Sequence, residues 1–263
     1  MSLQQHWVFL SLFLISILNY SCANSLKNNN LNKRYSKNDF SFVDNSGQFS
    51  MERISGLTKL KEFVTKEKIF PYKKWKDPPL EKGVLISSFA KLNKKINIIR
   101  PKISQRIYWF NKEKYFSEVS VLERKKILKL KWKGPKDNDA KIKNLLLPSG
   151  ERLYCFMGQL VECLKETGFF KKSIIEKKGK VSLTIILDGY PFFNKQYKVF
   201  QGKGFIEGEF LYDGQIKDGA SRYLLSVDDQ SILFFVDKKG NLIDKFWISQ
   251  GLSIRSLSNR HRK

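Results

Sequence analysis

The last hundred residues alternate between apolar and polar side chains, and this period of two constrains the fold more than any other feature. Such alternation places successive side chains on opposite faces of a β-strand. It is clear over residues 181–187 and 206–212, and residues 223–227, 232–236 and 242–248 are apolar-rich segments that are also typical of strands. Polar turns at 228–230 and 237–241 separate the last three segments. We therefore predict three consecutive antiparallel strands joined as a meander.

The N-terminal half has a different apolar spacing, which predicts helices. A helix over 50–67 would place three apolar residues on one face, namely Leu57, Leu60 and Val64. A second helix is expected over 84–99, where apolar residues recur at steps of three and four. Alternation begins at about residue 127. The predicted class is α+β, with N-terminal helices followed by a mainly antiparallel β-sheet in the C-terminal half.

An apolar run near the start of the chain predicts export. Residues 7–18 read WVFLSLFLISIL, with two serines as the polar interruptions. A membrane-spanning helix needs about twenty apolar residues, so this run is too short to cross a bilayer. Its length is typical of the apolar region of a secretory signal peptide. We predict that residues 1–21 are the signal peptide.

The end of this leader has two interpretations as a cleavage site. Residues 18–22 read LNYSC, which resembles the lipobox of spirochaete-type bacterial lipoproteins. The resemblance implies that Cys22 is lipidated, becomes the new N-terminus and anchors the protein to a membrane of the cell envelope. Residues 21–23 also form an ordinary small-x-small site, and cleavage after Ala23 would give a secreted protein. A third possibility is an uncleaved anchor.

Composition divides the rest of the chain. Residues 22–49 are rich in Asn, Ser and Lys and poor in apolar residues, which predicts a flexible polar tether. Residues 50–252 contain enough apolar residues for a globular domain. We predict that residues 253–263 form a basic tail.

The net charge of +24 suggests a polyanion as partner. The candidate residues lie in the basic tail: Arg255, Arg260, Arg262 and Lys263. Lysines are spread along the whole chain instead of forming one arm, which is also typical of an ordinary solvated surface. The candidate partner is anionic lipid or glycan, and nucleic acid is not expected. The main hypothesis is therefore a membrane-anchored envelope protein with a non-catalytic structural or binding domain of unknown ligand. The alternative is a polyanion-binding module that is secreted or lies at the cell surface.

Cys155 and Cys163 are a candidate disulfide, because disulfides persist in exported proteins. Bonding requires Cα atoms within about 7 Å of each other. A strand over 152–156, a turn and a helix over 159–167 could bring the two cysteines together. On one continuous helix they would lie about 12 Å apart and could not bond.

Histidine is nearly absent, which argues against several kinds of catalysis. His6 lies in the leader and His261 in the tail. The folded region therefore has no histidine for a Ser-His-Asp or Cys-His site or for a zinc site. A carboxylate-based hydrolase is a distant third hypothesis, with Asp188, Glu207, Glu209 and Asp213 as candidates. We expect a protein that is not an enzyme and holds no cofactor or metal ion.

Residues 212–219 read YDGQIKDG and resemble a single MORN repeat, with an aromatic residue followed by two spaced glycines. One copy does not make an array. A glycine-rich β-hairpin accounts for the same residues and is the preferred interpretation.

Overall fold

The computed structural model describes residues 36–45, 47–58, 62–72, 80–93, 98–110, 112–149 and 153–257. These residues are built mainly of β-strands. The strands are β1 (Ser36–Asp44), β2 (Gly47–Leu57), β3 (Glu62–Pro71), β4 (Leu80–Asn93), β5 (Ile98–Phe110), β6 (Glu113–Leu122), β7 (Ile127–Lys133), β8 (Lys141–Leu146), β9 (Leu153–Phe156), β10 (Lys180–Ile186), β11 (Phe205–Gln215), β12 (Ser221–Val227), β13 (Gln230–Val236), β14 (Leu242–Trp247) and β15 (Leu252–Ser256). The helices are α1 (Leu160–Glu166), α2 (Phe169–Glu176) and α3 (Phe192–Tyr197). Short 3₁₀ turns cover Glu123–Lys125, Met157–Gln159 and Ile248–Gln250.

All these strands belong to one sheet. Its spatial order runs from β8 back to β1 and continues from β15 back to β9. Strands that follow each other in the chain therefore pair as antiparallel neighbours, with three departures. Strands β8 and β9 lie at opposite ends of the sheet order. The first strand pairs antiparallel with the last, β15. Strand β9 pairs in parallel with β10, and α1 and α2 supply the crossover that a parallel pair requires.

The sheet rolls up so that its two ends overlap. The inner faces of β1, β2 and β10–β15 share one large apolar core, which includes Cys155 of β9. The opposite face of β9 carries Tyr154 and Phe156, which belong to a second apolar cluster with Leu128 and Leu130 of β7. Strands β6–β8 thus cover the outer face of β9 and β10. This overlap buries both faces of a strand that would otherwise form an exposed edge.

The predicted N-terminal helices are wrong, and with them the α+β class. Residues 50–57 form most of β2, residues 62–67 form the first part of β3, and residues 84–93 continue β4. The reason is that several inward positions on these strands are polar or small. Arg53 and Thr65 are buried and face the interior, as do Gly83 and Ser87. Apolar residues therefore do not mark every second position, and their remaining spacing imitates a helix.

The boundaries of the predicted tether and basic tail also need correction. Residues 36–44 of the predicted tether form β1, in which Phe40 and Phe42 are buried. Residues 253–256 of the predicted tail lie in β15, where Phe40 pairs with Ser256 and Phe42 with Ile254. The two segments therefore stabilise each other by pairing, although neither carries a strong strand signal alone. The predicted signal peptide and Cys22 lie outside the described residues.

The strands of the C-terminal meander occur at the positions indicated by alternation. Strand β13 pairs antiparallel with β12 and with β14. The segment 212–219 forms the end of β11 and the turn into β12, with an irregular register between Tyr212 and Gly214. Among the described helices, none has both the length and the apolar character needed to cross a bilayer.

Candidate functional site

A pocket of about 140 Å³ lies inside the rolled sheet and is partly open to solvent. Strands from both ends of the chain line it, because the pairing of β1 with β15 brings them side by side. Helix α1 and the 3₁₀ turn before it cover another side. An engineered cavity of similar volume, roughly 150 Å³, binds benzene. The pocket therefore has room for an apolar group of about that size.

One wall of the pocket is apolar. Phe42, Ile254 and Phe234 come from β1, β15 and β13, and their side chains point inward. Trp247 of β14 is completely buried and stacks on Phe193 with ring centroids 6.2 Å apart. Aromatic and aliphatic side chains of this kind are the usual lining of small-molecule sites.

The opposite wall contains a buried ion-pair cluster around Arg53. The Arg53 guanidinium contacts the Glu67 carboxylate on the neighbouring strand. It also donates to Glu162 of α1 through Nε at 2.9 Å and Nη2 at 2.6 Å, and to the Gly158 carbonyl at 2.9 Å. Burial opposes the charge on Arg53, but Glu162 and Glu67 outweigh it and raise its pKa. Burial raises the pKa of Glu67, against the attraction of Arg53.

A second buried carboxylate, Asp188, follows β10 and is 3% exposed. Its Oδ1 accepts a hydrogen bond from the Gly158 amide at 3.0 Å. Its Oδ2 lies 3.4 Å from Nη2 of Arg106 on β5. Gly158 thus links this pair to the Arg53 cluster, since its carbonyl accepts from Arg53. The wall is held by hydrogen bonds from β2, β5 and α1, which makes its geometry rigid.

Lys245 of β14 brings a charge to the apolar wall. Its strand neighbours are Phe234 on β13 and Ile254 on β15, and its Nζ lies 5.3 Å from the Phe234 ring centroid. Burial lowers the pKa of Lys245 to about 8, although the carboxylates of Asp188 and Glu67 oppose this shift. In the described part of the chain, no oxygen accepts a hydrogen bond from its ammonium group.

The disulfide fixes the helix that carries Glu162. The sulfurs of Cys155 and Cys163 are bonded at 1.99 Å, and their Cα atoms lie 6.0 Å apart. Cys155 is in β9 and Cys163 in α1, with the Met157–Gln159 turn between them. The sequence allowed two arrangements of these cysteines, and the structure has the one in which a strand, a turn and a helix bring them together. The bond ties α1 to the sheet next to the pocket.

Of the other candidate residues that the structure describes, Asp188 lines the pocket, whereas Arg255, Glu207, Glu209 and Asp213 do not. Arg255 is on the outer face of β15, 3.6 Å from Asp244 and 5.6 Å from the Phe246 ring centroid. The remaining tail residues are outside the described ranges: Arg260, Arg262 and Lys263. Glu209 and Asp213 form exposed ion pairs with Lys180 and Arg222.

The candidate carboxylates therefore do not face each other across one cleft. Asp188 is buried at the pocket, whereas Glu207 is exposed and its neighbour Glu209 pairs at the surface. Among the residues that the structure describes, no three His, Cys, Asp or Glu side chains are grouped so as to hold a metal ion.

Sequence reasoning missed Arg53, Glu67 and Lys245. Each is a charged residue at an inward position of a strand, where alternation would place an apolar side chain. Lys245 could have been noticed, because it lies two residues before Trp247 and therefore on the same face of β14. Arg53 and Glu67 could not have been noticed in this way, because the segment that contains them was predicted to be a helix.

Comparisons with known proteins give no family assignment. No protein-family model matches the chain, and no curated protein matches it. Among solved structures, the chain is similar to a β-barrel-like protein of the domain of unknown function DUF1849 from Brucella abortus. The TM-score is 0.44 and the identity 10%, over 84% of this chain and 94% of that one.

Proposed function

We propose that this protein is a non-catalytic binding protein of the cell envelope that holds a small, largely apolar ligand inside its rolled sheet. The observation that carries the proposal is the 140 Å³ pocket, with an apolar wall from β1, β13, β14 and β15 and a charged wall opposite. A concave apolar site with a few fixed polar groups is the usual form of a ligand pocket. The buried charges of the second wall are held by one another, so the apolar wall offers the ligand most of its contact area.

Filling part of the pocket should weaken the binding of a simple apolar probe. Gly83 lines the pocket, and a side chain added there would first meet Ile69 at 3.4 Å, an ordinary contact distance. In Gly83→Leu the new side chain occupies space needed by the probe. We expect the affinity for 1-octanol, measured by calorimetry, to fall about tenfold, as expected for two methylene groups that lose their burial.

The matched control is Gln48→Leu, which adds the same side chain at an exposed position of β2. It should bind 1-octanol like the unmodified protein, and both variants should keep the circular dichroism spectrum of the native sheet. Absence of 1-octanol binding in the unmodified protein would contradict the proposed function. Equal binding in Gly83→Leu would place the ligand elsewhere.

We also propose that the protein is exported and anchored through a lipid on Cys22. The support is the apolar leader and the lipobox-like residues 18–22. A fatty-acid probe supplied to growing cells should label the native protein, and Cys22→Ser should lose the label. A Cys155→Ser/Cys163→Ser variant is the control and should remain labelled, because those thiols form the disulfide. Label retained by Cys22→Ser would exclude lipidation at that residue.

Binding of anionic lipid or glycan at the surface is the second candidate function, supported by the net charge of +24. We rank it lower because the described member of the proposed basic set, Arg255, already lies beside Asp244 and stacks on Phe246.

A further inference from the structure

Lys245 differs from the other charged groups of the pocket in its surroundings. Arg53 donates to Glu162 and to a backbone carbonyl, and Asp188 accepts from a backbone amide. Lys245 has the Phe234 ring beside it, and none of the described residues provides a hydrogen-bond acceptor for its ammonium group. Lys245 lines the pocket and is only partly buried, so its ammonium group can meet an oxygen atom of a ligand. Such an oxygen would supply the acceptor that the described side chains do not provide.

The side chains around Lys245 define the rest of such a ligand. Phe234 and Ile254 are its direct neighbours across the sheet, and Phe42 follows Ile254 in the same row. Trp247 lies on the same face of β14. A molecule whose oxygen atoms meet Nζ must therefore place its remaining atoms against apolar side chains.

On the basis of the proposed function, we infer that the pocket binds a single-chain amphiphile with a carboxylate headgroup, and that Lys245 is the residue that contacts this headgroup. A carboxylate supplies acceptors for an ammonium group in a charge-assisted hydrogen bond. The pocket volume of about 140 Å³ suits one short chain or one ring and cannot contain two acyl chains side by side. Arg53 and Arg106 already contact Glu162 and Asp188, so Lys245 is the cation of the pocket wall to which we assign the headgroup.

Protonation of Lys245 should accompany binding. The charged groups around it are Asp188 and Glu67, which favour its charged form, and Arg53 and Arg106, which oppose it. Burial dominates and lowers the pKa of Lys245 to about 8, so the free ammonium loses its proton above that pH. A bound carboxylate raises this pKa. Affinity for a carboxylate should therefore fall from pH 7 to pH 9.5, whereas affinity for an uncharged chain should not change.

The test compares ligands that differ only in the headgroup, titrated by calorimetry into the mature protein carrying Cys22→Ser, which needs no detergent. At pH 7, octanoate should bind about tenfold more tightly than 1-octanol, and octylammonium should bind more weakly than both. In Lys245→Met, octanoate should lose about tenfold in affinity and 1-octanol should change less than twofold. Lys203→Met is the control, since Lys203 is an exposed residue paired with Asp228. It should leave all three affinities unchanged.

Each outcome separates this inference from the proposed function. If 1-octanol and octanoate bind with equal affinity, or if Lys245→Met preserves their ratio, the headgroup assignment is wrong while the pocket remains a binding site. If no chain binds, the proposed function itself fails, and the inference with it. Octyl phosphate is titrated in parallel. If octyl phosphate binds much more tightly than octanoate, the assigned ligand class is wrong and the headgroup is a phosphoryl group.

Discussion

Replacement of Arg53 by methionine is expected to lower the free energy of unfolding by about 3–5 kcal/mol, because it leaves two carboxylates without their cation in the interior. Arg53 and Glu67 side chains are each 7% exposed, and Glu162 is 13% exposed. Methionine keeps much of the arginine's volume but provides no donor for either carboxylate. The loss is measured from the urea dependence of the circular dichroism signal of the sheet.

The control for this prediction is an ion pair at the surface. Arg222 pairs with Asp213 at 2.7 Å, but both side chains are more than one third exposed. Arg222→Met should therefore cost at most about 1 kcal/mol. If Arg53→Met costs no more than Arg222→Met, the cluster does not stabilise the pocket wall. The triple variant Arg53→Met/Glu67→Leu/Glu162→Met should recover most of the loss, since it removes both carboxylates together with the cation that they share.

Replacement of Phe234 by alanine is expected to cost about 3–5 kcal/mol, as for other buried phenylalanines. Phe234 is 2% exposed, lies in β13 between two paired strands and contacts the Phe210 ring at a centroid distance of 5.3 Å. Its removal enlarges the pocket by a cavity that the rigid sheet cannot close. Thermal and urea unfolding of the variant measure the loss.

Phe246→Ala provides the matched comparison on the outer face of the same sheet. Phe246 is half-buried and packs on Phe235 and Arg255. Because its ring is already partly in water, its removal should cost less than half as much as Phe234→Ala. Equal losses for the two variants would show that the two faces of β13 and β14 are equally important to stability, and that the inner face is not the main core.

The candidate site was accessible to sequence analysis only in part. Phe234 lies in a predicted strand that is apolar on both faces, so its burial could be expected from the sequence, and Trp247 lies in the next predicted strand. Lys245 lies on the same face, and alternation predicts its orientation but not its lack of acceptors. Arg53 meets Glu162 across more than a hundred residues, a separation over which a single sequence gives no signal about contacts.

The sequence by itself determined the local conformation wherever the inward positions of a strand are uniformly apolar. This holds for residues 223–227 of β12 and 232–236 of β13, whose inward residues are all apolar and whose burial alternates along the strand. Only the tertiary structure decided the conformation of strands β1 to β5, because their inward positions include a charged residue, Arg53, whose partner Glu162 lies on α1. The same holds for the pairing of β1 with β15, since closure of the sheet joins the two ends of the folded chain and depends on every strand between them. Alternation of apolar and polar residues predicts a strand with one buried face. The prediction fails where a buried position holds a charged residue whose partner is distant in the sequence.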